Sequence, residues 1–286
     1  MPSEAMSAYN EEARSTRRAL LNSDYDPVQL RALLAMADTI GPGPDCRELD
    51  HAMLEVRGGE GEGLLIYVPG GGFCFPGGDA HRALLDRVST AANVRGALLQ
   101  YRLAPEHPFP AAHHDVAQAL RILLAEETGP VFVMGDSAAG ALVLCACAQL
   151  KREGRRLPDK LVCLSALTDL AMTGRSNVTN AEADPMFGPQ AVIHKVFHYL
   201  QGANPAVGEV SPLWDDATAL PDTLFIAGST EVMLDDTLRY AQKAESAGTV
   251  VTVSIYDEAP HVFALIPGLP EADQAIAEIA AFLKGG

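Results

Sequence analysis

Positive charge is scarce in this chain. Among 286 residues, 21 Lys and Arg stand against 37 Asp and Glu, a formal net charge of −16 with the His neutral. Binding nucleic acid needs clustered Lys and Arg to neutralise phosphates, so this balance argues against a nucleic-acid partner. Its ordinary meaning is solubility through mutual repulsion; the functional alternative is a surface that disfavours anionic substrates. Cysteine is scarce too. The five present (Cys46, Cys74, Cys145, Cys147 and Cys163) form no CxxC pair and no Cys/His spacing suited to zinc. Cys145, Cys147 and Cys163 lie in apolar stretches, where they read as small buried hydrophobes. With no disulfide framework, the expected compartment is a reducing one, the cytoplasm. Long hydrophobic runs are also missing. The longest nearly apolar run, Ala138 to Ala148, is too short to span a bilayer, and the first residues contain no signal-peptide core. A membrane partner is therefore not expected.

The rest of the composition is that of a globular protein, 48% apolar and 20% charged, with a length within reach of one large α/β domain. Residues 1–45 read as helical, with apolar positions at Leu20, Leu21, Leu30, Leu33, Leu34 and Met36. Pro27 suits a helix start and Gly41-Pro42-Gly43-Pro44 ends the segment. Beyond it, short apolar runs alternate with amphipathic stretches. Strands are predicted at Leu49–Arg57, Leu64–Val68, Ala97–Tyr101, Val131–Met134, Leu161–Leu164, Thr223–Ala227 and Val250–Tyr256. Helices are predicted at His81–Ala92, Ala111–Glu127, Ser137–Arg152, Leu234–Ala247 and Ala272–Leu283. That alternation predicts a mostly parallel sheet covered on both faces. The stretch from about Met172 to Pro212 interrupts it, with a helix around Pro189–Leu200 and no strand. We expect it to form a small cap with the N-terminal helices, on a catalytic domain spanning 46–286.

Chemistry concentrates in three segments. Gly135-Asp136-Ser137-Ala138-Ala139-Gly140 follows one predicted strand and opens an apolar helix. This is the context a nucleophile elbow requires, because a sharp strand–helix turn lifts Ser Oγ clear of the sheet. Ala139 stands where G-x-S-x-G has its last glycine, and an ordinary Ser N-cap is the structural alternative. Gly70-Gly71-Gly72 follows the strand ending in Val68-Pro69, and successive glycines let backbone N–H groups reach a developing oxyanion. The spacing fits neither GxGxxG nor a Walker loop. His261, after the last long strand, is the candidate base. His113-His114-Asp115 begins a helix, where adjacent residues do not share a face, and reads as structural or solvated. His194 and His198 have i,i+4 spacing without a third ligand.

Between the glycine run and the elbow lies Tyr101-Arg102-Leu103-Ala104-Pro105-Glu106-His107-Pro108-Phe109-Pro110-Ala111-Ala112. With it, the chain from about Leu64 onward resembles the hormone-sensitive-lipase-like family of bacterial esterases, which carries HGGG and GDSAGG segments flanking a similar stretch. The resemblance implies an α/β-hydrolase fold and a Ser–acid–His triad. By position it makes Ser137 the nucleophile, His261 the base and Glu231 the acid, with Asp235 as runner-up. It makes the N–H groups of Gly71, Gly72 and Ala138 the oxyanion donors. Two departures stand out. Pro69 replaces the histidine of HGGG and brings no side-chain donor. Only the residues from Cys46 to Gly63 precede the glycine-loop strand, which predicts a shortened sheet edge.

The function these features imply is a serine carboxylesterase acting on short-chain or small-molecule esters through an acyl-enzyme, without metal or organic cofactor. Deacetylation of a natural product, amide hydrolysis or lactone opening would use the same groups. A non-catalytic receptor on this fold is disfavoured by the presence of all three triad residues. A homodimer paired through an edge strand is a further implication of the resemblance.

Overall fold

A computed structural model of the chain describes residues 1–20, 26–35, 39, 41, 43 and 45–285, with backbone alone for 17–20 and 33–35. The readings placed on Leu21, Met36, Pro42 and Pro44, and on the side chains of Leu20, Leu33 and Leu34, fall outside the described residues. Helices α1 (Glu4–Leu20) and α2 (Pro27–Ala35) come first. They are followed by β1 (Asp45–Leu49), β2 (Ala52–Arg57), β3 (Leu64–Val68), α3 (Asp79–Ala92), β4 (Arg95–Gln100), α4 (Ala111–Glu126), β5 (Val131–Asp136), α5 (Ala138–Arg152) and β6 (Lys160–Leu164). After α6 (Ser176–Thr179) and α7 (Pro189–Leu200) come β7 (Asp222–Gly228), α8 (Leu234–Ser246), β8 (Val251–Tyr256) and α9 (Pro270–Lys284).

The strands form one eight-stranded sheet in the order β1-β2-β4-β3-β5-β6-β7-β8. From β4 to β8 every pairing is parallel; β2 runs antiparallel to both β1 and β4. This is the α/β-hydrolase arrangement. The period-2 pattern of β3 shows why both faces need cover. Leu64, Ile66 and Val68 enter a core shared with Leu120 of α4 and Leu142 of α5, whereas Leu65 and Tyr67 enter one shared with Leu85 of α3 and Ile279 of α9. Burying each such side chain contributes about 1.5–3 kcal/mol.

The expected short sheet edge is overturned. Residues 45–57 form two strands, where a single strand over Leu49–Arg57 was predicted. Leu49 pairs with Ala52 across a two-residue turn, Asp50-His51, and Asp50 takes a φ of +59°. Tight hairpin turns demand such left-handed residues, and aspartate tolerates the conformation better than most. A turn this short lets two edge strands fit into the span.

Because β3 and β5 to β8 are parallel, their carboxyl ends share one edge of the sheet, where open α/β sheets bind ligands. The segments after Val68, Asp136, Leu164, Gly228 and Tyr256 meet there.

Candidate active site

Ser137 links β5 to α5 with φ 53° and ψ −124°, a conformation costly for any residue but glycine. Local bonds hold it there. Its N–H donates to the Leu164 carbonyl at 2.8 Å, and its own carbonyl accepts from Gly140 at 3.0 Å and Leu167 at 2.9 Å. Ala139 is fully buried, so its methyl is accommodated at the elbow. The demand for glycine falls one residue later, at Gly140, where a Cβ would collide with the Cβ of Ala166 beyond β6.

His261 connects the other two groups. Its Nε2 lies 2.9 Å from Ser137 Oγ and its Nδ1 lies 2.8 Å from Glu231 Oε2. A carboxylate only accepts, so Nδ1 carries the proton and Nε2 is left to accept from the serine hydroxyl. Glu231 is fully buried, and its second oxygen accepts from Ser165 Oγ at 2.7 Å and from the Gly228 N–H. Ser165 Oγ in turn accepts the Val262 N–H at 2.9 Å, coupling the carboxylate to the residue after the histidine. Ser165 and Val262 both have positive φ, 48° and 49°, so backbone strain gathers around the three groups. Asn180 donates to the Glu231 carbonyl at 2.9 Å, and the Phe187 ring meets His261 edge-on at 5.1 Å between centroids.

Of the glycine run, Gly70 donates its N–H to Asp136 Oδ1 at 2.8 Å, which takes it out of use as an oxyanion donor. Gly71 and Gly72 have φ of 106° and 60°, and a Cβ on Gly71 would collide with the Phe75 carbonyl. Asp136 is the anchor of this loop. It also accepts from Tyr67 Oη at 2.7 Å and lies 3.8 Å from His81 Nε2. Burial alone would raise its carboxyl, but the nearby His81 imidazole and the hydrogen bonds from Tyr67 and the Gly70 N–H hold it below the usual carboxylate range. Side chains from other segments also hold the loop. Tyr101 Oη donates to the Pro69 carbonyl at 3.0 Å, and Gln100 exchanges hydrogen bonds with the backbone of Gly77.

The rival residues sit elsewhere. Asp235 accepts the backbone N–H groups of Arg175 and Ser176 at the start of α6. His113 is buried against Tyr199 Oη, and burial pushes its pKa down to about 3; Asp115 pairs with Arg102. His194 and His198 face each other along α7, their Nε2 atoms 3.3 Å apart. Among the described residues, no three His, Cys, Asp or Glu side chains converge as a metal site needs, and no helix is long and apolar enough to cross a membrane.

A cavity of about 560 Å³ opens over Ser137 and His261. Leu30 of α2, Met186 and Phe187, Val192 of α7 and Met233 supply apolar walls. Helix α1 lies to the side, its Met6 buried with α9 and Ser3 donating to Glu271. The motifs located Ser137, Glu231 and His261 in sequence; they did not reveal Ser165, Asn180 or Tyr67. Asp136 stood in the elbow segment without any sign of its role as loop anchor.

Comparison with known proteins agrees with this fold. A family model described as alpha/beta hydrolase fold matches residues 65–265. An acetyl-hydrolase of Streptomyces hygroscopicus is 34% identical over 271 residues, covering 92% of this chain and 91% of that protein. An esterase of Acinetobacter venetianus is 33% identical over 223 residues, covering 77% and 74%. The crystal structure of an esterase from the bacterial hormone-sensitive lipase family superposes with a TM-score of 0.90 at 33% identity, covering 100% of this chain and 99% of that one.

Proposed function

Since the chain belongs to the alpha/beta-hydrolase fold family and is a carboxylic ester hydrolase, we propose that Ser137, His261 and Glu231 are its catalytic triad. The observation that carries this reading is the position of His261, bonded on one nitrogen to Ser137 Oγ at 2.9 Å and on the other to Glu231 at 2.8 Å. As Ser137 Oγ attacks the acyl carbon, its proton passes to His261 Nε2. Glu231 holds the ring in its tautomer and stabilises the imidazolium. The N–H groups of Gly71, Gly72 and Ala138 receive the oxyanion, the last of them at the positive end of α5. His261 then protonates the leaving alcohol, and the acyl-enzyme forms. Water, deprotonated by the same nitrogen, releases the acid.

The apolar walls that Leu30 of α2 and residues within the proposed cap, 172–212, lend to the cavity support short-chain or small-molecule esters as substrates. The acetyl-hydrolase relative favours a second reading within this chemistry, removal of an acetyl group from a larger natural product. The five cysteines are all free thiols, which supports a reducing compartment such as the cytoplasm. Hydrolysis of p-nitrophenyl esters from acetate to palmitate, by the wild type and by Ser137→Ala, tests the proposal. Turnover of the short esters, lost in the variant, is the expected result. Turnover that survives the substitution would remove Ser137 as nucleophile, and a preference for palmitate would contradict the short-chain reading.

A further inference from the structure

Among the described Lys and Arg residues of this acidic protein, one lines the cavity over Ser137 and His261. Arg57, Arg82, Arg102, Arg121 and Arg239 each reach a carboxylate within salt-bridge distance. Lys195, on α7, has no carboxylate partner among the described residues, yet it lines the cavity that contains Ser137 and His261. Its stem crosses the oxyanion loop. A Cβ on Gly72 would collide with Lys195 Cδ and would stand 3.1 Å from its Cβ and Cγ. Its ammonium lies 4.6 Å from the centroid of the Phe187 ring, the same ring whose edge meets His261. Ammonium, phenyl ring and imidazole therefore follow one another along the cavity wall.

Taking an ammonium out of water is costly, and a ring face returns only part of that cost. Burial accordingly lowers the Lys195 pKa, with the neighbouring Cys74 acting weakly in the opposite sense. An anion on the bound substrate would supply the missing counter-charge. The net charge of −16 repels anions at long range, but that field is screened over about 8 Å at physiological ionic strength, whereas Lys195 acts at contact inside the cavity.

We propose that Lys195 is a specificity-determining residue that pairs with a carboxylate carried by the substrate, so that the enzyme prefers esters bearing a carboxylate close to the scissile bond over their neutral counterparts. This rests on the esterase site described above. The test compares kcat/KM within two pairs of esters. Monomethyl glutarate against dimethyl glutarate puts the carboxylate in the acyl half; O-acetyl-lactate against its methyl ester, followed by acetate release, puts it in the alcohol half. In Lys195→Met the charged-to-neutral ratio should fall about tenfold in at least one pair, and Lys195→Arg should restore it. A change of less than threefold in both pairs overturns the proposal, as does a fall that arginine does not reverse. Circular dichroism of both variants establishes that they are folded. Ser137→Ala, assayed in parallel on the neutral esters, separates the two readings: turnover persisting there overturns the triad, whereas its loss leaves the triad in place and the ratio decides Lys195.

Discussion

At the scale of single residues, two carboxylates four positions apart show how environment divides labour. Glu231 is buried with its oxygens engaged by His261, Ser165 and Gly228, whereas Asp235 caps the start of α6. Glu231→Gln should lower kcat by about 10²–10⁴-fold, since an amide no longer enforces the imidazole tautomer, while Asp235→Asn should stay within about threefold of wild type; esterase kinetics of both variants check this. The family resemblance singles out Glu231 over Asp235 as the acid. It could not reveal Ser165, a lone serine at a strand end whose role depends on a φ of 48° that brings its hydroxyl to the carboxylate. Asp236 is a third case. It is fully buried beside Asp169, one oxygen has no hydrogen-bond partner among the described residues, and burial pushes its pKa up to about 7. The unfolded chain releases that proton near pH 3.9. Between those values the folded state holds a proton the unfolded state lacks, so this group's stabilisation is present at low pH and lost as pH rises toward about 7. Asp236→Asn, which cannot ionise, should therefore gain on the order of 1–3 kcal/mol relative to wild type at pH 8 and much less at pH 4, read from urea unfolding at both values.

At the scale of elements, the sequence pattern carried most of the architecture because buried parallel strands are continuous apolar runs with few competing readings. The strand expected at Leu64–Val68 is β3 to the residue, and the helix expected around Pro189–Leu200 is α7. The edge was misread because Asp50-His51 lacks the Asn-Gly or Asp-Gly signature that marks tight hairpins, so two strands looked like one. That hairpin is tied to the sheet's helical layer by the buried pair of Arg82 on α3 and Glu55 on β2, with nitrogen–oxygen distances of 2.9 and 3.1 Å. Arg82→Met leaves Glu55 without its main counter-charge and should cost about 3–5 kcal/mol, seen as a lower urea midpoint. The glycine loop shows the limit of motif reasoning. Pro69 brings no side-chain donor, and the bonds that hold the loop come from Tyr101, Gln100 and Asp136, in segments distant in sequence.

At the scale of the whole molecule, the sheet ends in β8, an edge strand on which Val253 and Ile255 are 40% and 39% exposed. Pairing of this strand with a second copy would continue the hydrogen-bond ladder. We propose a dimer of this kind, which size-exclusion chromatography at micromolar concentration would show; a peak at 30.3 kDa would argue against it. The central claim concerns Ser137 and the acyl-enzyme it forms. The most direct measurement traps that serine with diethyl p-nitrophenyl phosphate and follows the protein by intact and peptide mass spectrometry. The account predicts one diethylphosphoryl group per chain, located on Ser137, with esterase activity lost in proportion to labelling. A label on any other residue, or full activity in a chain labelled at Ser137, would contradict it.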